Sequence, residues 1–260
     1  MIGPIDTHAH VFLRGLPMAP ERRYAPDYDA PLPAYLDILD ANGIAAGVLV
    51  QPSFYGTDNS YLMACLAAHP RRLRGVAVLD PSADDAQFDV MTRAGVAGLR
   101  FNLIGAGTGV LDEPLRRGLL RRAAAFGWHV EVQADGPDWP AVLHALEGHD
   151  GPIVADHYGR PAPAKGVACE GFLALLGEGP TGRIFVKLSA PYRCGGVDVR
   201  IYEEPLVARL GHDRLLWGSD WPWTQHELGR DYAALAQTGG SKAQPWSRVL
   251  ARTAAALFGF

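Results

Sequence analysis

Eight short runs rich in β-branched and apolar residues recur along the chain, at residues 4–8, 44–50, 73–79, 96–101, 129–133, 153–157, 183–188 and 215–219. Each gap between them has room for one helix. That alternation is what a parallel sheet demands, because parallel neighbours cannot be joined by a tight turn and need a crossover segment. Eight is also the number of strands that closes a barrel, and 260 residues match the roughly 250 such a barrel usually takes. The expected fold is therefore α/β, one (β/α)8 TIM barrel spanning residues 1–260. Helix-start signals support the alternation: Asp58 precedes Asn59-Ser60-Tyr61-Leu62, and Asp112-Glu113-Pro114 opens an arginine-rich run that ends near Gly127. The rival architecture, an open doubly wound sheet, expects a glycine-rich phosphate loop after the first strand. That place holds Asp6-Thr7-His8-Ala9-His10 instead.

Charge and cysteine content exclude several partners. The net charge is −4 and the arginines are scattered, so nothing attracts a nucleic-acid backbone or an anionic membrane. Cys65, Cys169 and Cys194 lie far apart and in no CxxC pair, which argues against a disulfide framework and a thiolate zinc site. Residues 1–6 lack the basic and apolar stretches of a signal peptide, and no apolar segment approaches the roughly 18 residues that span a bilayer. The expectation is a soluble, cytoplasmic protein acting on a small molecule, with the oligomeric state left open.

The chemistry concentrates at the ends of three runs. Residues two apart at a strand end project the same way, so His8 and His10 place two imidazoles side by side. His157 closes the sixth run and Asp220 follows the eighth. Taken singly, the paired histidines read as barrel packing, His157 as a satisfied core histidine, and Asp220 as a cap or turn residue. Together they fall at the carboxyl ends of strands, where barrels of this type carry catalysis. Two long connections, 11–33 and 158–167, follow strands on that same face, and loops of such length are commonly binding loops or lids.

These residues lie within longer stretches: Asp6-Thr7-His8-Ala9-His10, Arg22-Arg23-Tyr24, Gln51-Pro52-Ser53 with Asp58-Asn59, Gly98-Leu99-Arg100-Phe101-Asn102, Asp156-His157-Tyr158-Gly159-Arg160-Pro161, Lys187-Leu188-Ser189 and Gly218-Ser219-Asp220-Trp221-Pro222. With them, nearly the whole chain resembles the amidohydrolase superfamily, in the branch containing 2-pyrone-4,6-dicarboxylate lactonase and sugar lactonases. The resemblance implies a hydrolase that opens a small lactone without a resident metal or other cofactor. In it His8, His10 and His157 polarise the carbonyl and Asp220 deprotonates water. Tyr24 and Ser53 resemble the family's substrate-contacting hydroxyls, with Tyr28 the alternative to Tyr24 and Asn102 an additional donor, while Arg100, Arg160 and Arg193 end or follow three different strands as candidate substrate contacts.

Guanidinium groups in a barrel mouth are costly to bury unless anions pair with them. The arginines therefore point to an anionic substrate, or else they pair with Asp156, Glu131 or another acid. An alternative activity keeps the fold but has His8, His10, His157 and Asp220 hold one zinc ion for decarboxylation or amide hydrolysis, as in the aminocarboxymuconate semialdehyde decarboxylase branch. His129, Glu131 and Gln133 share one face of the fifth run, where metal-dependent relatives carry a further ligand. A non-catalytic anion binder would keep the arginines without needing paired imidazoles facing a carboxylate. Two departures bear on the substrate: the dicarboxylate lactonase has another basic residue shortly after the fourth-run arginine, where this chain reads Leu103-Ile104-Gly105, and its fifth-run tyrosine is replaced here by Gln133. A monoanionic or differently decorated lactone is the resulting expectation.

Overall fold

A computed structural model describes residues 3–237 and 248–260. Its strands are β1 (Ile5–Ala9), β2 (Ala46–Val50), β3 (Leu73–Ala77), β4 (Val96–Asn102), β5 (His129–Gln133), β6 (Ile153–Ala155), β7 (Ile184–Ser189) and β8 (Leu215–Gly218). Neighbours in sequence are neighbours in one sheet, and every pairing is parallel. The last strand meets the first: Asp220 N donates to the His8 carbonyl at 2.8 Å, and His10 N donates to the Trp221 carbonyl at 2.7 Å. This is the (β/α)8 barrel that the eight runs anticipate. One helix fills each crossover: α1 (Leu32–Ala41), α2 (Ser60–Ala68), α3 (Asp85–Arg93), α4 (Pro114–Ala125), α5 (Trp139–Ala145), α6 (Glu170–Gly177) and α7 (Arg200–Leu210). Beyond β8 come α8 (Tyr232–Gln237) and α9 (Arg248–Phe258).

Both faces of the strands are covered, so polar as well as apolar positions are shielded, and β1, β2 and β5 are buried at every position. Helix starts follow local chemistry: the Asp84 side chain accepts from Gln87 N at 2.9 Å and caps α3, while Pro114 begins α4. Ile5, Val48, Val50, Val76, Val154 and Leu216 pack with Ala254, Ala255 and Phe258 of α9 in a separate apolar cluster. Polar groups occupy the other end of the barrel, where the strands finish.

Differences from the expected strands are confined to their ends. The sixth strand stops at Ala155 rather than 157, because His157 and Tyr158 turn into the left-handed region, at φ 54 and 58. The first reaches Ala9, one residue further than expected. The long connection after β1 carries no helix before Leu32, and a single antiparallel bridge, Phe12 to Ala30, ties it together. Cys65, Cys169 and Cys194 are free and buried. No described helix is long and apolar enough to cross a membrane.

Candidate active site

Three imidazoles converge on one carboxylate oxygen. The Nε2 atoms of His8, His10 and His157 lie 3.7, 3.5 and 3.9 Å from Asp220 Oδ1. His157 and Asp220 both adopt left-handed backbone, at φ 54 and 58. Side chains other than glycine enter that region only under constraint, and such strain collects at functional sites. Here it turns both side chains into the barrel as the chain leaves β6 and β8. Asp6 braces the arrangement from outside: its Oδ2 accepts from Ser219 Oγ (2.6 Å), Tyr232 (2.9 Å) and Tyr35 (3.0 Å), and its Oδ1 accepts from Ser219 N (2.9 Å). One carboxylate thus joins β1 to the end of β8 and to α1 and α8.

The two oxygens of Asp220 have different surroundings. Tyr192 and Arg193 Nε each donate to Oδ2 at 2.7 Å, whereas Oδ1 has no hydrogen-bond partner. Burial alone would raise this carboxyl, but the charge of Arg193, with His157 and His8, outweighs it and holds Asp220 well below the usual carboxylate range. Burial lowers His157 to about 4, more than the neighbouring Asp220 and Asp156 restore. Burial and then the Lys187 charge place His8 well below its ordinary value.

The second nitrogen of each ring separates the histidines. His10 Nδ1 lies 2.8 Å from the Val50 carbonyl, which can only accept, so that nitrogen carries a hydrogen. His157 Nδ1 meets Ser189 Oγ at 2.8 Å. His8 Nδ1 lies 3.0 Å from Lys187 Nζ, and an ammonium can only donate. Where Lys187 donates, neutral His8 carries its hydrogen on Nε2, facing Asp220; Asp156 Oδ1, 3.2 Å from Nδ1, is the competing acceptor. Lys187 also bonds Glu131, with Asp156 Oδ1 at 3.6 Å and Arg100 Nη2 at 3.6 Å from Asp156 Oδ2. Two cations and two carboxylates thus offset each other beneath the site. Burial and Asp156 push the Glu131 carboxyl up, and Lys187, with His129 and His8, more than reverses this.

Above this layer opens a cavity of ≈ 170 Å³. Of the residues expected at the site, His10, His157 and Asp220 form part of its wall, together with Arg100, Arg160, Arg193, Ser53, Tyr24 and Asn102. His8 does not reach the wall; it lies just beneath, fully buried. Tyr24 is the tyrosine of the first connection that lines the cavity, its hydroxyl 3.2 Å from Thr224 Oγ1, whereas Tyr28 turns away to Glu227 at 2.9 Å. Each of the three expected arginines has an acidic neighbour: Arg193 with Asp220 at 2.7 Å, Arg160 with Asp135 at 3.0 Å, and Arg100 with Asp156 at 3.6 Å. Arg100 Nη2 also donates to Gln133 Oε1 at 2.8 Å. Arg23, Thr224 and His226 join the wall unannounced. Arg23 could have been found as the neighbour of Tyr24; the turn after Asp220 offers no comparable signal.

The spacing tests well for a metal, and the donors hinge on Lys187. Bonds of roughly 2.0–2.1 Å to a tetrahedral zinc put ligand atoms about 3.3–3.4 Å apart, close to the separations around Asp220 Oδ1. Among the described residues, two groups of three side chains bring ligand atoms within 4.8 Å, His8 with His10 and Asp220, and His8 with Asp156 and His157. Both require His8. A metal-bound imidazole donates from the nitrogen away from the ion; His8 Nδ1 has Asp156 Oδ1 at 3.2 Å as such an acceptor, but Lys187 Nζ at 3.0 Å competes for the same atom. While the Lys187 ammonium donates there, Nε2 carries the hydrogen and is closed to zinc.

An eightfold barrel with paired histidines after its first strand, a histidine after the sixth and an aspartate after the eighth defines a class. The amidohydrolase family model matches residues 5–260, and the chain belongs to that family. It is 32% identical over 235 residues to the 2-pyrone-4,6-dicarboxylate hydrolase of Comamonas testosteroni, covering 85% of this chain and 77% of that one. It is 32% identical over 228 residues to the 4-sulfomuconolactone hydrolase of Rhizobium radiobacter, covering 85% and 76%. A solved structure from Pseudomonas putida, provisionally assigned as a 2-pyrone-4,6-dicarboxylic acid hydrolase, is 42% identical with a TM-score of 0.90, over 100% of this chain and 98% of that one.

Proposed function

We propose that this protein hydrolyses a small anionic lactone without a metal ion. The observation that carries the reading is the unpartnered Asp220 Oδ1 facing three imidazoles at the base of an arginine-lined cavity. The two curated relatives, both named as hydrolases of anionic lactones or lactone-like rings, support the substrate class.

The steps take His8 with Lys187 donating to its Nδ1 and His157 with Ser189 Oγ donating to its Nδ1, so that both rings carry hydrogen on Nε2. Asp220 Oδ1 takes a proton from water as the water oxygen bonds to the lactone carbonyl carbon. His10, whose hydrogen stays on Nδ1 toward Val50, accepts from that water through Nε2 and aligns it. The carbonyl π pair moves onto oxygen, where His8 and His157 present N–H groups; a donor so placed, with water excluded, stabilises the developing charge by ~3–4 kcal/mol. The oxyanion pair then re-forms the carbonyl as the ring C–O bond breaks, and the departing oxygen takes the proton from Asp220. Tyr192 and Arg193 hold the carboxylate by its other oxygen throughout. Arg100 and Arg193, with Ser53, Tyr24 and Asn102, contact the substrate.

The test is a hydrolysis screen over anionic and neutral lactones, before and after exhaustive dialysis against chelator. Turnover of an anionic lactone that survives chelation is expected. Loss on chelation, restored by zinc, overturns the metal-free mechanism and favours the mononuclear zinc alternative, whose supporting observation is the ligand-like spacing around Asp220 Oδ1.

A further inference from the structure

The cavity wall carries four arginines, and their charges are not equally met. Arg193, Arg160 and Arg100 each have the acidic neighbour described above. Arg23 has no hydrogen bond or acidic partner among the described residues. Its position is nonetheless built. Tyr24, next in the chain, packs edge-on against buried Phe54 at 5.5 Å between ring centroids and reaches Thr224. On the other side, the Arg23 Cδ atom lies 3.5 Å from where a Cβ would stand on Gly105, a residue at φ +79 in the segment after β4. The neighbouring Arg22 points elsewhere, donating to the Ala19 carbonyl at 3.0 Å. Burial is the main effect on Arg23 and lowers it from its ordinary value, as do the charges of Arg100, Arg160 and Arg193, while the neighbouring Tyr24 acts to raise it.

We infer that Arg23 is a specificity-determining residue that binds an anionic group of the substrate, a carboxylate or sulfonate, at the cavity mouth and away from the reacting carbonyl. The inference rests on the lactone reading above and deepens it. The reacting carbonyl belongs at the buried floor with Asp220 and the histidines, whereas Arg23 is exposed at the rim. A guanidinium there forms charge-assisted hydrogen bonds with both oxygens of a planar anion.

The experiment has two arms, each on wild type, Arg23→Gln and the control Arg22→Gln. In the first, kcat/KM is measured for 2-pyrone-4,6-dicarboxylate and for the neutral lactone dihydrocoumarin. In the second, calorimetry gives the dissociation constant of benzene-1,3-dicarboxylate, which carries two carboxylates and no lactone. Arg23→Gln is expected to lower the anionic-to-neutral ratio of kcat/KM and to weaken benzene-1,3-dicarboxylate binding, each by tenfold or more, with Arg22→Gln near wild type. A smaller fall, or an equal fall in Arg22→Gln, overturns the inference. If the hydrolysis screen over lactones finds no substrate while Arg23→Gln still loses binding by tenfold, the lactone reading fails and the anion site stands.

Discussion

At the scale of single residues, the sharpest division of labour lies among three histidines of one residue type. The sequence assigns them one common role, whereas their second nitrogens differ: Lys187 donates to one, a backbone carbonyl accepts from another, and a serine hydroxyl meets the third. No local pattern announces those contacts, because Lys187 and His8 are 179 residues apart and meet only through the fold. Strand-end position made the four central residues legible, and the arginines at strand ends equally so. Asp6, Tyr192 and Lys187 carry structural parts that needed the barrel in three dimensions. Asp220→Asn tests the base directly. The amide oxygen still accepts from Tyr192 and Arg193 but cannot take up a proton, so kcat should fall ~10²–10⁴-fold. Benzene-1,3-dicarboxylate binding should persist by calorimetry. Wild-type turnover at neutral pH in this variant would remove Asp220 from the mechanism.

At the scale of elements, strand interiors were legible and strand ends were not. The alternating run His129-Val130-Glu131-Val132-Gln133 places β5 at 129–133 without error, since side chains two apart share a face. The end of β6 depends instead on His157 leaving extended backbone, a conformation that composition does not encode. The seam between β8 and β1 is tightly packed against backbone: a Cβ on Gly218 would lie 2.6 Å from His8 Cβ and 3.0 Å from His8 N. Gly218→Ala must therefore separate the two strands and displace His8 with them. Overpacking of this kind costs about 1–3 kcal/mol. Thermal melts should show a fall of several degrees together with loss of turnover. Gly109→Ala, with nothing within 4 Å of its new methyl, serves as the control and should show neither.

At the scale of the whole molecule, the buried histidines couple stability to pH. His157 titrates at about 4 in the folded chain against an ordinary 6.5. Between those values the unfolded chain binds more protons, so stability rises with pH, by up to ~1.4 kcal/mol per pH unit for one such group. His8, also lowered, adds in the same direction. Asp6, whose carboxyl burial raises despite its hydrogen bonds to Ser219, works the other way, as one group against two. Urea midpoints should therefore be higher at pH 7 than at pH 5; equal midpoints would mean that these imidazoles are protonated in the folded state. The closing seam also orders events in time. Asp6 and Ser219 are bonded across 213 residues of chain, and the paired histidines and Asp220 belong to the first and last strands. On a ribosome, the amino-terminal half of the catalytic apparatus must wait for nearly the entire barrel to emerge before it meets the other half. Contacts so distant in sequence form late in folding. Recovered turnover during refolding is thus a reporter of barrel closure, and enzymatic competence arrives in a single step with the final strand.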